Sequence, residues 1–385
     1  MKVGIDKIGF YTPNKFVDMV DLAKARDVDP GKFLIGIGQN KMAVADKSQD
    51  AVSMAINATS EYIDKIELDK LGLLVFGTES SVDQSKSASL FVKKALNLPK
   101  NIRTFELKEA CFGLTAAIMT AIDYVKAHED KTAIVIGSDI ARYGVATPGE
   151  VTQGAGSISL LIKKDPSIME INSETSMYSD DIDDFWRPNN FKCALVDGKY
   201  STNVYLDFFK HCFEDYTQKQ NLKTSDFEAL LFHLPFTKMG QKALKLAIEG
   251  QDPETTARLL DKFVAGATYG KEVGNIYTAS LYMSLLSLLE VDQPKAGSLI
   301  GLFSYGSGAM AEFFTGRLVD GYEKQLAPEK HKEMLEKRQK LTVAEYEEVF
   351  NESLKDLAES QEVQSDANGW YFAGTSNNIR KYSRK

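Results

Sequence analysis

The chain has 385 residues, 43% of them hydrophobic, and 46 Lys and Arg stand against 54 Asp and Glu for a formal net charge of -8. That apolar content supports a large buried core and excludes a disordered chain. The negative field disfavours polyphosphate backbones and anionic membrane, so neither nucleic acid nor a membrane is an expected partner.

The opening MKVGIDKIGFYTP carries a charge at residue 2 and lacks the apolar stretch of a secretion signal. Nowhere do about 18 apolar residues run together without charges, as a membrane-crossing helix requires. Short apolar runs bounded by Gly, Ser or Pro alternate with Ala-rich helical patterns, which predicts an α/β fold. Strands are predicted at 73–76, 133–136, 157–162, 229–232 and 298–304. The clearest helix starts near Cys111 and runs to about His128, apolar nearly all round and expected to be buried on every side. Beyond about Gly321 the chain is more charged. There Thr342 and Glu345 form a Thr-x-x-Glu capping box opening a helix expected to decorate the surface, and Arg380 to Lys385 reads as a solvated tail.

An internal repeat is visible. Leu74-Val75-Phe76 matches Leu230-Leu231-Phe232, Cys111 with Thr115-Ala116-Ala117 lines up loosely on Asn275 with Thr278-Ala279-Ser280, and Gly154-Ala155-Gly156-Ser157 matches Gly306-Ser307-Gly308-Ala309. Three marks in one order at similar spacing predict duplicated halves, residues 1–165 and 166–385, about a pseudo-twofold axis. Glu79, Cys111, His233 and Asn275 then sit at strand ends or helix starts facing a central seam, where α/β proteins place their chemistry.

Cys111, in Glu109-Ala110-Cys111-Phe112-Gly113 directly before the long helix, meets the positive end of the helix dipole, a setting that favours thiolate. Small neighbours leave room for a bound group. His233 emerges where an apolar strand gives way to Leu234-Pro235-Phe236, able to donate a hydrogen bond or carry a proton. Glu79 closes a strand at Phe76-Gly77-Thr78-Glu79; facing the seam, its burial would raise its pKa enough to accept and return protons. Lys238, Lys242 and Lys245 share a helical face near His233 and could clamp phosphate. Cys193 and Cys212 read as packing cysteines, and His128, His211 and His331 as surface residues. With only three cysteines a disulfide scaffold is not expected, and a reducing compartment, the cytosol, is. No P-loop, G-x-G-x-x-G after a strand, H-E-x-x-H or paired C-x-x-C occurs, so nothing in the sequence calls for a metal or nucleotide cofactor.

These strings together resemble the bacterial 3-hydroxy-3-methylglutaryl-CoA synthases of the thiolase superfamily along nearly the whole chain. The resemblance is carried by VGIDKIGFYTP, VDPGKFLIGIGQ, GTESSVDQSKSAS, KEACFGLTAA, TQGAGSISLLI, DFWRPN, LLFHLPFTKMGQKAL, Gly274-Asn275 and SYGSG at 304–308. It implies a thiolase-like fold of two duplicated halves in a layered α/β/α/β/α core. It also implies condensation of acetyl-CoA with acetoacetyl-CoA and water in the mevalonate pathway, with CoA thioesters as small-molecule partners, no further cofactor, and a homodimer. By the same resemblance Cys111 is the acyl acceptor, Glu79 the general base and acid, and His233 the group that anchors and polarises acetoacetyl-CoA. Backbone N–H groups of Cys111 and Ser307 would form the oxyanion hole, and Asp29, Thr152, Ser201, Lys238, Lys242 and Asn275 would line the substrate and CoA tunnel. Phe112 stands where the family often has Tyr.

Two other readings fit parts of the pattern. A decarboxylating ketoacyl synthase would use Cys, His and Asn, but has no need of a carboxylate base such as Glu79. A non-catalytic acyl-CoA-binding protein has no need of Cys111, Glu79 and His233 together.

Overall fold

A computed structural model describes residues 1–385. Nine strands form the main sheet: β1 (Val3–Tyr11), β2 (Leu71–Gly77), β3 (Arg103–Leu107), β4 (Thr132–Ala141), β5 (Gly154–Lys164), β6 (Met169–Ser179), β7 (Ala229–Phe232), β8 (Leu299–Gly306) and β9 (Met310–Leu318). Their spatial order is β7-β8-β9-β6-β1-β5-β4-β2-β3. All five predicted strands are present, most of them extended by a residue or more at each end.

The repeat is structural. β4 pairs parallel with β2 and antiparallel with β5, which pairs antiparallel with β1. In the same way β8 pairs parallel with β7 and antiparallel with β9, which pairs antiparallel with β6. The two half-sheets join through β1 and β6 over only two residue pairs, Gly4 with Glu170 and Ile5 with Met169. β3 has no counterpart and forms one edge.

Side-chain alternation along the strands generates the layers. Leu73 and Val75 of β2, with Ala229 and Leu231 of β7, face one central core; Leu74 and Phe76 face a second, and Leu230 and Phe232 a third. The central core holds helix α3 (Gly113–Ala127) and the wholly apolar side of helix α7 (Ser280–Val291). Helices α1 (Ala51–Ser60) and α2 (Ala88–Ala95) cover one outer face, and α4 (Gly198–Gln220), α5 (Thr237–Ile248) and α6 (Pro253–Gly266) cover the other. This is the expected α/β/α/β/α layering. Truncating one of the fully buried leucines of α7 to Ala costs about 2–5 kcal/mol.

Four expectations fail. Helix α3 is not buried all round: Thr120 and Asp123 reach solvent, because only its inner stripe meets the sheets. The helix α9 (Val343–Ser353) has the predicted capping box, Thr342 N donating to Glu345 Oε2 at 2.7 Å, but it is not surface decoration. Tyr346 and Phe350 are buried against Val17, Met19, Leu22, Met42 and Val151, and Gln153 Nε2 donates to Tyr346 Oη at 2.9 Å. The basic tail is not free either. β11 (Ile379–Arg384) pairs with β10 (Trp370–Ser376), and Arg380 and Tyr382 both bind Asp50 at the start of α1, at 3.1 and 2.7 Å. Alternating side chains made the tail a strand despite its charges.

His331 is the fourth correction: it lies on α8 (Pro328–Glu336), 1% exposed, between Glu290 of α7 at 2.9 Å and Glu61 at 3.0 Å. Burial opposes its charge but the two carboxylates prevail, pushing its pKa up to about 9. Its polar sequence neighbours face outward, whereas its own ring points inward. His128 and His211 are exposed as expected.

Candidate active site

Strand β2 ends at Gly77, and Thr78 and Glu79 follow at its carboxyl end, close to the start of α3. Gly77 is required there, because a Cβ would come within 2.5–2.7 Å of the backbone of Gly113 and Leu114. Cys111 lies two residues before α3, after Ala110 in a left-handed conformation (φ 39°) that an alanine adopts only under strain. The end of β8 presses on the same loop: a Cβ on Gly306 would meet Glu109 O at 2.6 Å and Phe112 N at 2.8 Å. Helix start and strand end thus fix the thiol from both halves.

Cys111 Sγ donates to Glu79 Oε1 at 3.2 Å. On its other side the thiol faces a cavity of about 540 Å³ lined also by Tyr143, Thr152, Phe185, Ser201, Tyr205, His233, Asn275, Tyr305 and Ser307. Of the residues singled out in the sequence, Cys111, His233, Thr152, Ser201, Asn275 and Ser307 therefore meet around one space. Glu79 stands behind the thiol. Asp29, Lys238 and Lys242 do not line the cavity. Asp29 Oδ1 accepts from Gly31 N at 2.7 Å, Lys238 Nζ donates to Gln241 Oε1 at 2.7 Å, and Lys242 Nζ lies 5.7 Å from the ring of Phe236, a lining residue. The lysines occupy the rim, on the first turns of α5.

The electrostatics correct one sequence expectation. Burial, then the Glu79 carboxylate, pushes the Cys111 thiol well above its ordinary range, so the helix dipole does not yield a resting thiolate. Glu79 is itself pushed up to about 8, first by burial and then by the charge of Asp139. His233, 2% exposed, is driven down to about 3 by burial and stays neutral, with Nδ1 lacking any partner. A neutral imidazole can donate a hydrogen bond into the cavity without bringing charge.

Two carboxylates went unnoticed in the sequence. Asp139, fully buried on β4, accepts from Thr78 Oγ1 (2.8 Å), Glu79 N (2.7 Å), Thr278 Oγ1 (2.6 Å) and Thr278 N (3.2 Å). It ties the Glu79 turn to the segment after Asn275. Asp184 accepts from Ser201 Oγ (2.9 Å), Tyr305 Oη (2.8 Å) and Gly308 N (3.0 Å). Asp139 interrupts the apolar string IGSDIA, and that interruption was the available signal, whereas Asp184 closes the acidic run Asp180-Asp181-Ile182-Asp183 and nothing local sets it apart. Asn275 is itself oriented, its Oδ1 accepting from Tyr277 N and Ser280 Oγ at 2.8 Å, so its amide NH2 points toward Tyr143 Oη at 3.3 Å.

Residues 1–167 match the family described as hydroxymethylglutaryl-coenzyme A synthase N terminal, and residues 170–253 and 247–385 match its C terminal counterpart. The chain belongs to the hydroxymethylglutaryl-CoA synthase family. It is 42% identical over 383 residues to the hydroxymethylglutaryl-CoA synthase of Enterococcus faecalis, covering 99% of this chain and 100% of the relative. A crystal structure of an HMG-CoA synthase complexed with CoA superposes with a TM-score of 0.96 at 39% identity, covering both chains fully. MvaS in complex with 3-hydroxy-3-methylglutaryl coenzyme A gives 0.91 at 31%, covering 100% of this chain and 99% of that one. The thiolase-like fold expected from the sequence is thus the fold of the family.

Proposed function

We propose that the chain condenses acetyl-CoA with acetoacetyl-CoA and water to 3-hydroxy-3-methylglutaryl-CoA and CoA, through an acetyl group held on Cys111. The observation that carries the residue assignment is the 3.2 Å contact of the Cys111 thiol with Glu79, opposite a cavity that also holds His233 and Asn275. In the first step Cys111 sulfur attacks the acetyl-CoA thioester and the thiol proton passes to the departing CoA sulfur. One thioester replaces another, so the step is near thermoneutral and needs no cofactor.

The acetyl methyl is a weak carbon acid. Glu79, made basic by burial, takes its proton while backbone N–H groups of Cys111 and Ser307 receive the enolate oxygen. The carbanion attacks the ketone carbon of acetoacetyl-CoA, held by a hydrogen bond from neutral His233 and by Asn275, and Glu79 returns its proton to the new alkoxide. Water then cleaves the thioester, the thiol is regenerated and the product carries a new carboxylate. Thr152 and Ser201 contact the acyl chain region, and Asp29, Lys238 and Lys242 hold the CoA at the rim.

The same reading includes the mevalonate pathway, a cytosolic location supported by three unpaired cysteines, and a division of the chain after residue 165. It also includes a homodimer, supported by the open edge of β3 with half-buried Phe105 and Leu107; sedimentation of the intact protein tests it. The catalytic assignment is tested by intact-protein mass spectrometry after acetyl-CoA. One acetyl group is expected, mapped to Cys111 and lost in Cys111→Ser; a stable acetyl label on another cysteine refutes the nucleophile.

A further inference from the structure

Part of the wall of the thioester cavity is one short turn. Gly149 and Thr152 line the cavity, as Tyr143 does, whereas Glu150 and Val151 do not. The turn governs two groups near the thiol. Gly149 packs so closely on Tyr143 that a Cβ there would come within 2.8 Å of the tyrosine Cβ and Cγ, and Thr152 O accepts from Asn275 N at 3.2 Å. Local backbone bonds, Glu150 N to Thr147 O and Thr152 N to Gly149 O, fix the shape of the turn but not its place.

Its place is set from behind. Arg26, which caps the helix Met19–Ala25, grips the Glu150 carboxylate with two parallel bonds, Nε to Oε2 at 2.8 Å and Nη2 to Oε1 at 2.7 Å. Glu347 of α9 meets the same Nη2 at 2.6 Å. The Glu150 side chain is 4% exposed and that of Arg26 17%, so this fork is shielded from water and fixes angle as well as distance. Three residues past Arg26 comes Asp29, and the segment Lys32–Ile37 beyond it holds no buried residue yet puts Ile37 in the cavity wall. The fork thus joins two wall segments whose anchors are 124 positions apart in the chain.

We propose that Arg26 is a positioning residue for the reaction: through Glu150 it holds the Gly149–Thr152 turn, and through that turn Tyr143 and Asn275, in register with the bound CoA thioester. The part that concerns the second substrate rests on the condensation reading. Cys111 and Glu79 are held independently, by Gly77 against α3 and by Gly306 against the nucleophile loop. Loss of the fork therefore spares acetyl transfer at saturation and falls on thioester binding and on condensation. Removing Arg26 alone also leaves Glu150 buried without a counter-charge, a cost relieved by moving the turn outward.

The test compares Arg26→Met, Arg26→Lys and the double variant Arg26→Met/Glu150→Met with the wild type. It reads CoA affinity by calorimetry, the rate of Cys111 acetylation at saturating acetyl-CoA by mass spectrometry, condensation kinetics and melting temperature. In Arg26→Met, kcat/KM for condensation should fall at least about tenfold, the scale of a displaced remote wall. Acetylation at saturation should stay within about twofold of the wild type. KM should rise while keeping its salt dependence, because the guanidinium is spent on carboxylates inside the protein. Arg26→Lys should recover part of the loss. The double variant leaves no buried charge unpaired, so it should melt near the wild type and still show the kinetic defect. Wild-type kinetics in the double variant overturn the proposal, and so does an equal loss in both half-reactions. A wild type that binds CoA but never condenses refutes the proposed reaction instead; CoA affinity then decides, with weaker binding by the double variant upholding the clamp and equal binding overturning it.

Discussion

The ionisation of Glu79 makes a quantitative prediction. With its pKa pushed up to about 8 by burial and Asp139, only about one-tenth of the enzyme carries the carboxylate at pH 7 and about nine-tenths at pH 9. Condensation should therefore rise roughly ninefold across that interval, where an ordinary glutamate would give a flat profile. Glu79→Gln should abolish the rising limb and lower turnover by about 10² to 10⁴. Acetylation should survive, because removing the neighbouring carboxylate lifts one of the two main burdens that keep the Cys111 thiol protonated.

A stability effect follows with a definite sign. Since the folded pKa lies above the unfolded one, Glu79 costs nothing below about pH 4.5 and progressively more as pH rises to about 8. Glu79→Gln should thus be more stable than wild type by an amount on the order of a few kcal/mol above pH 8 and equal to it near pH 4. The assay pairs acetyl occupancy with CoA release from pH 6 to 9, and melting curves over the wider range. A flat wild-type profile, or a Glu79→Gln protein that condenses normally, refutes Glu79 as a buried base; one that cannot be acetylated moves its role to the thiol.

Replacing Lys238 and Lys242 with Ala should raise the KM for both CoA substrates and make it less sensitive to salt, with kcat little changed, because the lysines stand on the rim and not against Cys111; unchanged steady-state kinetics would return them to a solvated helix face. His331→Gln should lose stability chiefly at low pH. The wild-type contribution is complete below about pH 6.5 and disappears as pH rises toward about 9, so melting temperatures of the two proteins should converge there, and a constant difference would contradict the charged pairing. Tyr346→Phe removes the donor's partner at Gln153, whose Oε1 accepts from Tyr143 N and Gly144 N at 2.7 and 3.0 Å. A rise in KM of a fewfold is expected from loosening that loop, with melting temperature nearly unchanged; unaltered KM would separate α9 from the cavity.

What the sequence revealed follows from what local patterns encode. β7 was readable to the residue because Ala229 to Phe232 is apolar on both faces and bounded by Glu228 before it and by His233 and a proline turn after it. Cys111 and His233 were readable because each sits at a change of periodicity. Asp139 was not, since its meaning depends on Thr78, Glu79 and Thr278 converging from two other segments of the chain. Likewise His331 reads as polar surface until Glu61 and Glu290 are brought to it. The thiol was misjudged in charge state because the helix start is local information, whereas desolvation and the facing carboxylate are not.

The central position of β1 has a consequence for how the chain comes to be made. Val3–Tyr11 is almost entirely buried and pairs with β5 and β6, whose residues lie beyond position 153. At a synthesis rate of roughly 5–20 residues per second, roughly 7–30 s pass between the appearance of β1 and that of its partners. During that interval an apolar strand with both edges open is exposed on the nascent chain. Chaperone depletion or accelerated expression should therefore aggregate this protein through its first dozen residues, well before the catalytic cysteine can find its place.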